Sequence, residues 1–258
     1  EICFVNREAA FSLFSASAAL TGSLAADASP AAAFCVSGGG EYYAVSDDGA
    51  VRIFDATLGE LKSFSVKADR IALSDAGAPV LFYVSDGKIL CRSVFGQTQA
   101  ATLALNAADF AYMRISASAG AMYFIRDKKL FRTIINFSNG EATASQETAV
   151  DASFSDKATR VRVPTDENGD SVLVVQGQSG LYVNGARLRL SGLTDAVFED
   201  GVLKLLLEEN GLASVAYVDG ASLRLTEKQK VCFCDAACFA GGSSLFVVRD
   251  KAVGTENF

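Results

Sequence analysis

The stretch YYAVSDDGAVRIFD, Tyr42 to Asp55, joins two alternating apolar runs through a short acidic turn that contains Gly49. Alternation with period two puts every second side chain on one face of a strand, and an Asp-Gly turn between two such runs marks a β-hairpin. Whether this hairpin stands alone or belongs to a series decides the fold.

Aligned on the last apolar residue before each turn, the same outline recurs as FVNREAAF at Val5, AVSDDGAV at Val45, YVSDGKIL at Val84 and FIRDKKLF at Ile125. It continues as VVQGQSGL at Val175, LLEENGLA at Leu207 and VVRDKAVG at Val248, with spacings of 40, 39, 41, 50, 32 and 41 residues. The irregular fourth spacing points to an insertion over Ser138 to Lys157, expected to be the most mobile segment. A repeat of about 40 residues built from short strands belongs to propeller blades, whereas solenoids of helix pairs share the period but need helical periodicity.

That periodicity is missing. VLFYVS, SVLVVQ and SLFVVRD are short, rich in β-branched and aromatic residues and bounded by Gly, Asp and Ser; only LKLLLEE, Leu203 to Glu209, is ambiguous between strand and helix. Further candidates flank the hairpins: AAFCVS, RIALSD, YMRISAS, TRVRVP, DAVFED and VCFCDAACF before them, ELKSFSV, AATLAL, RLRLS and SLRLTE after them. Each unit reads as four antiparallel strands, with an inner strand, a hairpin and an outer edge strand. The expected fold class is therefore all-β, a β-propeller of four-stranded blades, with seven blades favoured over six and residues 1–258 forming one propeller domain.

The segment YYAVSDDGAVRIFDATLGELKSF, Tyr42 to Phe64, resembles the core of a WD40 repeat, with Phe54 where that family carries Trp and Asp55 closing the dipeptide. It also resembles a quinoprotein-type propeller repeat, and both resemblances imply the same architecture. The chain has no His and no Trp, so the Gly-His dipeptide and the His–Trp hydrogen bonding of regular WD40 blades are absent; the resemblance is to a divergent member.

The first unit lacks an inner strand and the last an outer one, so the propeller is expected to be open or incomplete. Three explanations stand: a piece of a longer protein, favoured by Glu1 in place of Met; a partner that donates a strand; or six blades rather than seven.

Composition sets further bounds. Half the residues are apolar and the formal charge is −7 with no basic run, which argues against direct nucleic-acid binding. The longest apolar stretch, Ala9 to Leu20, is too short to span a bilayer. Four of the six cysteines sit in apolar or alternating runs, the habit of reduced thiols, so a cytoplasmic or nuclear location is expected.

Without His there is no Ser-His-Asp or Cys-His nucleophile pair and no His-liganded metal. Cys232, Cys234 and Cys238 with Asp235 could supply three thiolates and a carboxylate to zinc, but the C-x-C spacing fits an innermost strand of small residues better. Asp166 to Asp170, DENGD, begins like a calcium loop and then departs from it at Ser171 and Gly177; a hairpin turn explains it better. The Gly-rich SGGGEYY, Ser37 to Tyr43, leads into a strand rather than a helix N-terminus and reads as a turn. Asp47 with Asp48 and Glu208 with Glu209 are paired acids at hairpin turns, and Asn136-Phe137-Ser138 is a glycosylation sequon of low specificity.

No catalytic residue and no cofactor is assigned. The reading is a non-catalytic scaffold for protein–protein interaction, a subunit of a larger assembly whose partners are other protein subunits, one of them a candidate to donate a strand. Two alternatives remain: a propeller enzyme or small-ligand binder using carboxylates at the central channel, and an exchange factor for a small GTPase that inserts the Ser138 to Lys157 loop.

Overall fold

The computed structural model describes residues 2–5, 10–14, 20–25, 33–37, 42–46, 49–55, 57, 59–68, 70–74, 78–96, 99–138, 141–150, 157–166, 168–239, 243–249 and 252–258. Every regular element among them is a strand. β1 (Ile2–Val5), β2 (Ala10–Phe14) and β3 (Leu20–Ala25) form a three-stranded sheet, and β4 (Ala33–Val36), β5 (Tyr42–Ser46), β6 (Val51–Asp55) and β7 (Glu60–Phe64) a four-stranded one. The next sheet contains β8 (Arg70–Ser74), β9 (Val80–Ser85), β10 (Lys88–Ser93) and β11 (Ala101–Leu105). It is followed by β12 (Ala107–Ser116), β13 (Ala119–Arg126) and β14 (Lys129–Ser138), whose outer edge pairs with both β15 (Glu141–Ala144) and β16 (Thr148–Ala149).

Beyond Asp151 lie the sheet of β17 (Arg160–Arg162), β18 (Val174–Gln176), β19 (Leu181–Val183) and β20 (Ala186–Leu188), and that of β21 (Leu193–Glu199), β22 (Val202–Glu209), β23 (Leu212–Asp219) and β24 (Arg224–Phe233). The last sheet is three-stranded: β25 (Ala236–Phe239), β26 (Ser244–Arg249) and β27 (Ala252–Asn257). Strands neighbour one another in sequence order, and all seven sequence-derived hairpins join strands paired within one sheet. The strands gather into two compact units, one containing Leu20–Val150 and the other Asp151–Phe258.

Turn chemistry sets several registers. Asp86-Gly87, Asp127-Lys128, Asn184-Gly185, Asp200-Gly201 and Asn210-Gly211 each carry two successive positive φ angles, the type I′ geometry that matches strand twist. The flanking pairs Ser85↔Lys88 and Glu209↔Leu212 close two-residue loops. The Asp47-Asp48 tip of the hairpin quoted at the outset lies outside the described residues.

Burial on both faces explains why the runs look continuous rather than alternating. Leu81 and Tyr83 pack with Ala44, Val51, Ile53 and Phe64 of the preceding sheet, while Phe82 and Val84 pack with Phe110, Met122, Phe124 and Ile135 of the following one. In the second unit the ambiguous LKLLLEE is β22. Leu203, Leu205 and Leu207 face the sheet of Val174, Leu181 and Val183, and Leu206 faces Phe239, Leu245 and Val247. Period-two burial on both sides selects strand over the helix that Leu, Lys and Glu would otherwise favour.

In the insertion expected over Ser138 to Lys157, β15 and β16 pair with β14, from Ile135↔Ala144 to Ser138↔Glu141 and at Phe131↔Ala149, while 139–140 and 151–156 lie outside the described residues. One expectation is corrected here. VCFCDAACF is not one inner strand but two strands of different sheets: Cys232 lies in β24, which ends at Phe233, Cys234 and Asp235 make the turn, and Cys238 lies in β25. The physical reason is the hairpin pairing of Ala213 with Cys232, which carries the outer strand through to Phe233 before the chain can turn.

Candidate functional site

The carboxylates come first, since without His they are the main acid–base groups. Asp55, the residue that closes the dipeptide resembling WD, holds the β6–β7 turn: its Oδ1 accepts from the Thr57 hydroxyl at 2.7 Å, the Thr57 amide at 2.8 Å and the Gly59 amide at 2.9 Å. The Thr57 hydroxyl, followed by the Gly59 and Thr57 amides, holds its carboxyl below the usual range. Asp219 does the same at the β23–β24 turn, its carboxyl lowered by the hydroxyl and then the amide of Ser222, the latter at 2.6 Å. Asp166 of the DENGD stretch accepts from the amides of Asn168 at 3.0 Å and Asp170 at 2.8 Å, a turn closed on its own backbone.

A carboxylate with a depressed folded pKa binds fewer protons folded than unfolded, so its stabilisation is present above the unfolded value and lost as pH falls through the folded one. Thermal melting of the wild type is therefore expected to drop as pH falls below about 4. Asp55→Asn should melt lower at neutral pH and show a shallower acid slope; a parallel pair of profiles would remove Asp55 from this role.

Several further acids have partners as well. Glu208 and Glu209 are the last residues of β22 rather than turn residues; Glu209 accepts from the Ser191 hydroxyl at 2.6 Å and lies 3.8 Å from Lys228. Glu199 pairs with Lys204 at 3.0 Å. Asp166, Glu199 and Asp200 border a groove of about 390 Å³ with Thr165, Val197 and Phe198.

What the residue pattern did not reveal is a set of polar ties between first strands of neighbouring sheets. In the first unit, Arg70 on β8 reaches Asp109 at 3.3 Å and donates to the Phe110 carbonyl at 3.4 Å, and Ser74 shares a 2.9 Å hydrogen bond with Tyr112. A further tie comes from a second strand: the Ser46 hydroxyl at the end of β5 donates to the Ala68 carbonyl, two residues before β8, at 2.6 Å. In the second unit, Arg160 donates to the Leu193 carbonyl and Arg162 to that of Thr194, while Asp195 accepts from the Phe239 amide at 3.2 Å. These ties connect sheets in a chain that has neither His nor Trp. The signal available in sequence was a polar residue in each first strand, too common to single out.

The thiols pack rather than expose. Cys35 is free and burial pushes its thiol up to about 12, against smaller lowering by Arg70; Cys91, also free, is pushed by burial up to about 11. Thiolate is the reactive form, so iodoacetamide should modify neither residue in the native protein and both after unfolding. Because the unfolded thiols ionise at lower pH than the folded ones, stability should also fall as pH rises above about 9. Cys232 and Cys234 pack against Leu206, Ala213 and Val215 as partly buried apolar groups. The Cys238 side chain lies outside the described residues, and among those described no three metal-ligating side chains gather.

No family model matches the chain, and no curated protein matches it in sequence. In structure it is similar to the β-propeller domain of Cps50 (Swd1) from Myceliophteria thermophila, with a TM-score of 0.69 and 9% identity over 99% of this chain and 92% of that one. The Dos1 propeller aligns with a TM-score of 0.59 and 12% identity, covering 99% and 75% of the two chains. Hydrazine synthase of Kuenenia stuttgartiensis aligns with a TM-score of 0.64 and 11% identity, covering 97% and 90%. The fold is that of a β-propeller.

Proposed function

We propose that this WD40-like propeller is a non-catalytic scaffold for protein–protein interaction, a subunit of an intracellular assembly whose partners are other proteins. The observation that carries the reading is how its reactive groups are used. Asp55, Asp166 and Asp219 accept hydrogen bonds from their own turns, Asp109 is tied to Arg70, and Cys35 and Cys91 are held as neutral thiols by burial. Side chains committed to holding turns and sheet contacts are poorly placed to move protons or attack a substrate. Because the same fold also occurs in hydrazine synthase, architecture alone does not separate scaffold from enzyme, and it is the commitment of these side chains that supports the scaffold reading.

The test is affinity isolation of the tagged chain from its native cells after mild cross-linking, followed by size-exclusion. Stoichiometric co-elution with one or more defined proteins is expected. Elution as a monomer, with partners neither retained nor cross-linked, would overturn the reading.

A further inference from the structure

We infer that the outer strand β24 is a docking edge for an acidic, extended segment of a partner protein, an inference that rests on the scaffold reading. β24 is ten residues long and ends its sheet beyond β23. Its register pairs Val218 with Leu225, Ala216 with Lys228, Ser214 with Lys230 and Leu212 with Phe233. Those β23 partners alternate along their strand, so Leu225, Lys228, Lys230 and Phe233 all stand on one face. Two bulges, opposite Tyr217/Val218 and Ala213/Ser214, absorb the odd spacing that would otherwise split the row across both faces.

The row reads apolar, cation, cation, apolar. Leu225 is 43% exposed and Phe233 70%, and they are the two exposed large apolar side chains of the second unit among the described residues. Lys228 meets Glu209 only at 3.8 Å, with its side chain one-third and that of Glu209 half exposed, so solvent screens the pair and it neutralises the lysine weakly. With Arg224 and Glu227 included, β24 carries three cations against one anion in a chain whose formal charge is −7. Among the other outer strands, β3 and β11 are uncharged, β7 balances Glu60 with Lys62, β15 carries Glu141, β27 carries Glu256, and the three-residue β20 carries a single cation, Arg187.

Lysines on an edge repel a second copy of the same strand and disfavour uncharged strands. They admit a strand that brings compensating negative charge. The occupant is thus an extended segment with two acidic side chains two residues apart, flanked by large apolar ones that meet Leu225 and Phe233, over roughly 20–26 Å. Charge would select the partner and the apolar ends would hold it.

The test uses the full chain and a synthetic fluorescein-labelled strand-forming peptide with two glutamates between a leucine and a phenylalanine, titrated by anisotropy. Saturable binding is expected. It should weaken at least about tenfold in K228E/K230E, on raising salt from about 0.05 to 0.5 M, and when lysines replace the glutamates; Phe233→Ser should weaken it about fivefold. Absence of saturable binding, equal binding of both peptides, or unchanged affinity in a K228E/K230E variant of wild-type melting temperature would overturn the inference. So would concentration-dependent dimerisation lost in K228E/K230E, which would assign the edge to a second copy. If the wild type captures its cellular partners and K228E/K230E retains them all, the edge assignment falls while the scaffold reading stands; if the wild type captures none, it is the scaffold reading that fails.

Discussion

Truncation of Phe82 to alanine is expected to cost about 3–5 kcal/mol. The ring is fully buried between two sheets of the first unit, stacked on Tyr112 at 5.0 Å and edge-on to Phe137 at 6.3 Å. Its removal leaves a cavity lined by side chains from both β9–β10 and β12–β14, and strands held by paired neighbours cannot close over it. Urea denaturation should show the midpoint falling with little change in slope. Phe95→Ala is the control: that ring is 57% exposed, so the change should stay within about 0.5 kcal/mol apart from its edge contact with Tyr42. Equal effects of the two substitutions would contradict the packing of these sheets.

Gly192→Ala is expected to destabilise by about 2–4 kcal/mol, far more than a surface Gly-to-Ala change elsewhere. Gly192 precedes β21 with φ of +77°, a left-handed conformation that L side chains adopt at a cost. Its carbonyl accepts from the Glu208 amide at 2.8 Å, drawing the two backbones together, and an added Cβ would collide with the Glu208 carbonyl oxygen. Strain and collision act together because neither strand can withdraw without breaking the Leu193↔Leu207 pairing beside it. Gly201→Ala separates the two effects, since φ is +73° there with open space around the Cβ; it should show only the conformational cost of about 1–2 kcal/mol. Thermal melting of the three proteins checks this, and equal losses at both glycines would dismiss the collision.

Much of the fold was legible because hairpins are local. The Asp-Gly and Asn-Gly turns at Asp86, Asp200 and Asn210 set two-residue loops from dihedral preference alone, and apolar runs on either side set the strands. Leu203 to Glu209 was illegible for the opposite reason. Helix and strand propensities balance there, and only the sheets packed on both of its faces decide between them. The VCFCDAACF stretch misled because apolar residues continue across a turn, so composition does not mark where one sheet ends and the next begins. The polar ties were harder still: Arg70 with Asp109 and Asp195 with Phe239 join residues 39 and 44 positions apart in sequence.

By itself, then, the sequence determined the repeat, the all-β class, the hairpin turns and the exclusion of imidazole chemistry, since each depends on residue type and short-range spacing. Tertiary structure alone decided that Asp55 closes a turn instead of serving a site, that Cys35 and Cys91 are neutral packing groups, and that Leu225, Lys228, Lys230 and Phe233 share one face of an outer strand. Those outcomes depend on partners and register. A carboxylate's role is set by the donors that reach it, a thiol's by its loss of water, and a face by the bulges that shift a strand against its neighbour.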